Sequence, residues 1–384
     1  MKAAELIHNE PFADLLVSTL SSFLTLHFGG DWRISWIDST WDRTEQSWLV
    51  NLNINAIFRG GVSPQALENI KREFSTSVVR WKRPFQRLYF WLATSAAARL
   101  TAHAVLRVEP SIPGASQCLI IPGTHKIRFV DAAEGIVYCH LKSGSSSAHF
   151  HSEIRAREFA ASKGLPVPRI VHSLSENCIA EEVVVGTPLN RLTSSEEQAI
   201  GVQRALDAMQ LLYRPTSRQT SIAEYEASIM AQVAAMSASR EGVSPTGMSA
   251  LAQRLCGHGD GAGEEIEIVR SHGDFQPGNI LYNNGEIWLI DWEYSQDRQR
   301  QYDLLTYRLG TRFAKGMGKR IAAYADSIAD SSQLRLLRLF LLETIMFELE
   351  ALMVSTSHNV PKSLIAKMLE IEKALPSTLR NRRA

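Results

Sequence analysis

The sequence lacks a disulfide framework, a long apolar run and any sizeable net charge, and each absence removes a class of function. Only four cysteines, Cys118, Cys139, Cys178 and Cys256, occur in 384 residues, none in a CxxC pair or beside a histidine at metal-ligand spacing. That pattern excludes a cysteine-stapled scaffold or a zinc knuckle and suits buried free thiols in a reducing compartment. No window approaches the roughly 18 uninterrupted apolar residues of a membrane-spanning helix. The opening MKAAELIHNEPFADLL turns polar too early for a signal peptide, so the expected location is cytoplasmic. With 41 Lys and Arg against 40 Asp and Glu, the formal charge is +1. Such a chain has no global field to gather nucleic acid, and no nucleic-acid partner is expected.

What is present is enough chain for two or three separate cores. Six of the eight tryptophans (Trp32, Trp36, Trp41, Trp48, Trp81, Trp91) fall in the first 91 residues, which gives that region its own aromatic core or contact surface. WLVNLNINAIF (48–58) alternates as a strand, and Gly60, Gly61 and Pro64 end it before a helix from about Gln65. Between Glu73 and Glu109 there is no acidic residue, while Arg80, Lys82, Arg83, Arg87, Arg99 and Arg107 interleave with Trp81, Phe85, Tyr89, Phe90 and Trp91. One reading is a weak membrane-surface contact through residues 79–107, because basic amphipathic segments are drawn to anionic headgroups. The other is an ordinary helix with solvated arginines.

VEPSIPGASQ, with Pro110, Pro113 and Gly114, reads as a linker. After it the pattern is strand, strand, strand, helix, strand, strand: CLIIPGTHKIRFVD, GIVYCHLKSG, a helix ended by Gly164, then LPVPRIVHSL and CIAEEVVVG. From Leu189 onward helices dominate, over about 196–213, 222–237, 303–315 and 332–353, and the basic end LRNRRA reads as a frayed tail. The expected divisions are 1–112, 113–188 and 189–384.

One island interrupts the helices: IVRSHGDFQPGNILYNNGEIWLIDWEY, a loop, a strand, a tight Asn284-Gly285 turn, a second strand and a carboxylate. Phosphoryl transfer needs positioning and charge neutralisation more than covalent help. One carboxylate must orient the acceptor hydroxyl; an amide oxygen and a second carboxylate must hold magnesium. Asp274, Asn279 five residues later, and Asp291 fit those roles in turn. Asp, Asn and Gly are also good turn residues, and any one alone would be read that way.

HGDFQPGN followed by IDWE resembles the catalytic loop and metal-binding segment of the aminoglycoside phosphotransferase, choline kinase and homoserine kinase group. The resemblance covers roughly residues 115–384; the first 110 residues match nothing of that kind. It implies an α+β, two-lobed protein-kinase-like fold, with a small antiparallel-sheet lobe and a large helical lobe, preceded here by an extra N-terminal α/β domain. It also implies a small-molecule kinase using Mg2+ and ATP or GTP, with Asp274 as catalytic base and Asn279 and Asp291 as metal ligands. Lys142 resembles the strand lysine that pairs nucleotide phosphates, and Glu153 its helical partner, in preference to Glu158. Glu182 and Val184 resemble the segment whose backbone binds the purine. PGTHKIR occupies the place of the phosphate-covering loop, with Thr124 and His125 as contacts. His272 shapes the loop, and Asp303 begins a helix that supports it.

A pocket for a polycation should gather carboxylates. The stretch from Tyr294 to Arg320 instead carries Arg298, Arg300, Arg308, Arg312, Lys315, Lys319 and Arg320 against Asp297 and Asp303. The working expectation is a neutral or anionic hydroxyl acceptor, a sugar or sugar derivative. The alternatives are an aminoglycoside or choline-type acceptor and a catalytically silent scaffold, the last opposed by the retained Asp274, Asn279, Asp291 and Lys142. The sequence leaves the oligomeric state open.

Overall fold

A computed structural model describes residues 11–40, 44, 46–76, 79–238, 252–253, 255–256, 264–313, 315–353, 370–371 and 373. Trp41 and the basic end LRNRRA lie outside them. The chain divides into two compact units, residues 1–209 with 277–294, and residues 210–276 with 295–384.

The first unit is built on one antiparallel sheet of nine strands. After the helix α1 (Phe12–Phe28) come β1 (Arg33–Ile37), β2 (Ser47–Asn51), β3 (Ala56–Arg59), α2 (Pro64–Ser75), α3 (Arg83–Thr94) and β4 (Ala104–Glu109). Then follow β5 (Cys118–Pro122), β6 (Lys126–Asp131), β7 (Ile136–Leu141), α4 (Ser147–Ser162), β8 (Ile170–Ser175) and β9 (Cys178–Glu182). The spatial order is β1-β4-β2-β3-β5-β6-β7-β9-β8. The sheet therefore runs without a break through the expected boundary at residue 112, joined where Ile57 and Phe58 of β3 face Ile120 and Leu119 of β5.

Period-two alternation sorts its side chains. Val50, Leu106, Ile120 and Phe129 pack under Leu16, Leu20 and Phe23 of α1. Phe58, Leu119 and Val130 meet Ala66, Leu67 and Ile70 of α2 and Phe90 and Ala93 of α3.

Two local expectations change. WLVNLNINAIF is a hairpin rather than one strand, because Asn51 Oδ1 accepts from Ile54 N at 3.3 Å and Asn55 takes φ 55°. Asparagine side chains that bond nearby backbone compete with a ladder in this way. VEPSIPGASQ is no spacer: Ile112 and Ala115 are buried in the sheet's core, and Ser116 O accepts from Ser63 N at 2.7 Å. Other signals hold. Ser63 caps α2 by accepting from Ala66 N at 3.2 Å, with Pro64 at its first position.

The second unit packs the helices Ile222–Ala238, Tyr302–Leu309, Met317–Asp326 and Ser331–Met353 around Tyr302, Ile321, Leu337 and Phe340. A short sheet joins Arg218–Ser221, Glu265–Arg270 and Asp297–Gln299 in that order. The helix expected over 303–315 ends at Leu309, where Gly310 adopts φ 53°. No helix among the described residues is long and apolar enough to cross a membrane.

Candidate active site

The loop His272–Gln276 belongs to the second unit and is held by one buried carboxylate. Asp303, 1% exposed at the start of its helix, accepts from His272 N (2.8 Å) and Gly273 N (3.0 Å) and from the Tyr213 hydroxyl (2.8 Å). Burial and the Asp303 charge both push the Tyr213 phenol well above its ordinary range, so it stays a donor. His272, fully buried, accepts from Asp274 N through Nδ1 at 3.3 Å. His272 and Asp303 thus hold the loop's backbone.

Asp274 projects from this frame with its two oxygens engaged differently. Arg312 Nε donates to Oδ1 at 2.6 Å, and Gln276 Nε2 donates to Oδ2 at 2.8 Å. Arg312 also donates to Gly273 O at 3.1 Å and stacks 3.4 Å above the Phe347 ring. Burial works against the Arg312 charge, but the Asp274 carboxylate outweighs it, and the guanidinium pKa is raised. Its Nη1 is buried without a hydrogen-bond partner. Arg312 was legible in the sequence only as one of seven basic residues.

In the first unit, the strands Ile280–Asn283 and Glu286–Leu289 form the expected hairpin, with Asn284 at φ 49° and Gly285 at φ 93°. Its open end brings Asn279 and Asp291 together, since Ile290 N donates to Asn279 O at 3.1 Å. Trp292, fully buried, fixes the next turn by donating to Leu289 O at 3.0 Å. Asp291 sits at φ 62° with its Oδ1 3.3 Å from Arg128 Nη2. Burial and the Asp291 charge push the neighbouring Glu293 carboxyl up to about 7.

Glu153 has a different lysine partner from the one expected. Glu153 is paired, but with Lys126 of β6: Nζ lies 2.6 and 2.5 Å from its two carboxylate oxygens. Burial opposes the Lys126 charge and Glu153 restores it, leaving the pKa raised. Arg157 continues the chain of charges, 4.0 Å from Glu153 and 2.5 Å from Glu181. Lys142 follows directly on the end of β7, and its backbone N donates to His125 O at 2.8 Å. On β7, Cys139 stands opposite Arg128, and burial and then Glu181 push its thiol up. The signal available for Lys126 was two basic residues, Lys126 and Arg128, on one face of the strand KIRFVD.

Lys126, Arg128, Glu153, Arg157, Glu181 and Asp291 line a cavity of about 440 Å³ together with Glu182, Val184 and Gly278. Thr124 and Lys142 are not among its lining residues. Thr124 lies in the β5–β6 turn, where Gly123 is required because a Cβ there would meet Lys126 O at 2.6 Å. His125 beside it is lowered to about 4, by burial first and then by His149 and Lys142, so it is neutral at pH 7. The cavity also draws on α2 from the N-terminal region: Asn69 Nδ2 donates to Val184 O at 3.2 Å, and its buried Oδ1 has no hydrogen-bond partner. Two backbone groups expected to bind a purine are thus engaged, Val184 O by Asn69 and Glu182 N by Arg169 O at 3.0 Å.

The sequence model of the phosphotransferase enzyme family matches residues 125–335, more than half of the chain. The chain belongs to this family. It is therefore a small-molecule kinase, and the family's protein-kinase-like fold agrees with the α+β class expected from the sequence.

Similar solved structures include a choline/ethanolamine kinase family protein from Mesorhizobium loti, 15% identical, covering 69% of this chain and 88% of that one, TM-score 0.42. Another is a mutant aminoglycoside phosphotransferase APH(4)-Ia in complex with AMP-PNP and hygromycin B, 16% identical, covering 70% and 94%, TM-score 0.48. A third is APH(3'')-Id from Streptomyces rimosus, 17% identical, covering 60% and 93%, TM-score 0.38. No curated protein sequence matches the chain.

Proposed function

We propose that this phosphotransferase moves the terminal phosphoryl group of ATP or GTP to a hydroxyl of a neutral or anionic small molecule, a sugar or sugar derivative. The observation that carries the donor half is the buried Lys126–Glu153 pair on the wall of the same cavity as Asp291, Glu182 and Val184. A lysine held by a helical carboxylate beside a metal-binding aspartate is what a nucleotide triphosphate needs. In this reading Lys126 takes the phosphate-pairing role expected of Lys142, and Asn69 joins Glu182 and Val184 around the base.

The donor set fits magnesium. Asn279 and Asp291 offer one amide and one carboxylate oxygen at the open end of a hairpin, and among the described residues no cluster of three or more acidic, His or Cys side chains forms a full cage. Magnesium is commonly held by one or two protein oxygens, with waters and phosphates completing its shell. When bound it would neutralise phosphate charge. Asp274 orients the acceptor hydroxyl and takes its proton as the oxygen bonds to the terminal phosphorus and the bond to the leaving phosphate oxygen breaks.

Arg312 bears on the acceptor's charge. A buried guanidinium on the catalytic carboxylate, with a spare N–H, repels a cationic acceptor and suits an anionic or hydroxyl-rich one. The test is nucleotide consumption with magnesium ATP and GTP over sugars, sugar acids, sugar phosphates, aminoglycosides and amino alcohols, beside Asp274→Ala. Turnover confined to aminoglycosides or choline would replace this acceptor class. Failure to bind magnesium nucleotide at all would leave a silent scaffold.

A further inference from the structure

The N-terminal region turns two helices to different tasks: α2 lines the cavity, while α3 carries an apolar stripe outward. Trp81, Phe85, Leu88 and Trp91 are 68%, 66%, 57% and 63% exposed. At about 100° per residue Phe85, Leu88 and Trp91 share one arc of roughly 120° on α3, and Trp81 stands in the turn just before it. The opposite side of α3 carries Phe90 and Ala93 into the sheet's core, and Tyr89 lies against Phe74 at 5.8 Å between ring centroids. The helix is thus held by one face, and the exposed aromatics contribute nothing to that hold.

Basic residues border the stripe. Lys82 lies 5.5 Å above the Trp81 ring, Arg87 is exposed on the other side, and no acidic residue occurs anywhere between Glu73 and Glu109. We infer that α3 and the turn before it dock on an anionic lipid surface, with Trp81, Phe85, Leu88 and Trp91 entering the headgroup boundary and Lys82 and Arg87 meeting lipid phosphates. Tryptophan and phenylalanine on one face with a basic border is the composition that lies in such an interface. A second copy of the chain fits less well, because a two-fold contact through this stripe would set the same cations against themselves with no carboxylate to pair them.

The experiment is co-sedimentation of the full-length protein with vesicles of phosphatidylcholine alone or with added phosphatidylserine, at low and high salt. Binding is expected only with the anionic vesicles, weakened by salt. The triple variant Trp81→Ser, Phe85→Ser, Leu88→Ser should lose it with an unchanged melting curve, since these side chains are already exposed. Lys82→Gln and Arg87→Gln should each weaken binding about fivefold. Three outcomes overturn the inference: no binding to anionic vesicles at low salt, binding unaffected by the triple variant, or self-association through the stripe without vesicle binding.

Discussion

Replacing Lys126 by Met separates the structural assignment of the phosphate lysine from the one the sequence suggested. Lys126 contacts Glu153 at 2.5 and 2.6 Å, with the two side chains 10% and 6% exposed. Breaking a buried pair by removing one partner leaves an uncompensated charge and costs about 3–5 kcal/mol. Arg157, 4.0 Å from Glu153, remains as a second cation, which places the loss near the lower end, about 3 kcal/mol. For a unit of this size that is a fall in melting temperature of roughly 6–12 °C. If Lys126 also holds phosphates, kcat/KM for the nucleotide should fall by about 10²–10³, the usual cost of losing one preorganised charge contact in a transition state. The assay is steady-state kinetics of Lys126→Met and Lys142→Met at a temperature where both remain folded. Full activity in Lys126→Met with activity abolished in Lys142→Met would refute the assignment and restore the strand-end lysine.

Three further outcomes follow from the same contacts. Asp303→Ala strands the buried His272 and Gly273 N–H groups and the Tyr213 hydroxyl, so stability should drop by about 3 kcal/mol or more, read by denaturant unfolding. Asn69→Ala should raise the nucleotide KM severalfold with kcat nearly unchanged and shift the ATP to GTP preference; an unchanged KM for both removes Asn69 from base recognition. Glu343, buried beside Arg298 at 3.4 Å, is pushed up to about 7 by burial, which Arg298 and a hydrogen bond from Tyr225 only partly offset. A carboxyl raised in the folded state holds its proton longer than the unfolded chain does, so its contribution falls as pH rises from about 4.5 to about 7 and is flat above. Glu343→Gln should remove that part of the slope, at most about 1.4 kcal/mol per pH unit, in urea melts across this range.

The proposed chemistry rests on an island that is compact in sequence. Asp274, Asn279 and Asp291 sit at fixed spacing around a hairpin whose turn residues, Asn284 and Gly285, announce themselves. Asp303 was singled out by resemblance, and in the structure it accepts from His272 N and Gly273 N. The Lys126–Glu153 pair was not foreseen because the resemblance pointed to the lysine after GIVYCHL, whereas the pair depends on which face of β6 meets α4. That is a cross-strand register no local pattern reports: Lys126 stands opposite Leu141, and Arg128 opposite Cys139. The continuous sheet was hidden for a similar reason, since β3 and β5 pair across some 60 residues of chain, and long-range pairing leaves little trace in composition. The exposed stripe of α3 was visible as a charge asymmetry, but only the structure separates the aromatics that pack, Phe90, from those that do not, Trp81, Phe85 and Trp91.

The most direct test of the central claim is a paired measurement on wild type and Asp274→Ala, comparing the Kd for magnesium nucleotide with the rate of phosphoryl transfer to whichever acceptor the panel identifies. A Kd within about twofold and a rate reduced by 10³ or more is expected, because in the proposed function Asp274 acts on the acceptor hydroxyl while Lys126, Asn279 and Asp291 hold the donor. A variant that transfers phosphate at the wild-type rate would contradict the role of Asp274 and with it the reading of the whole loop.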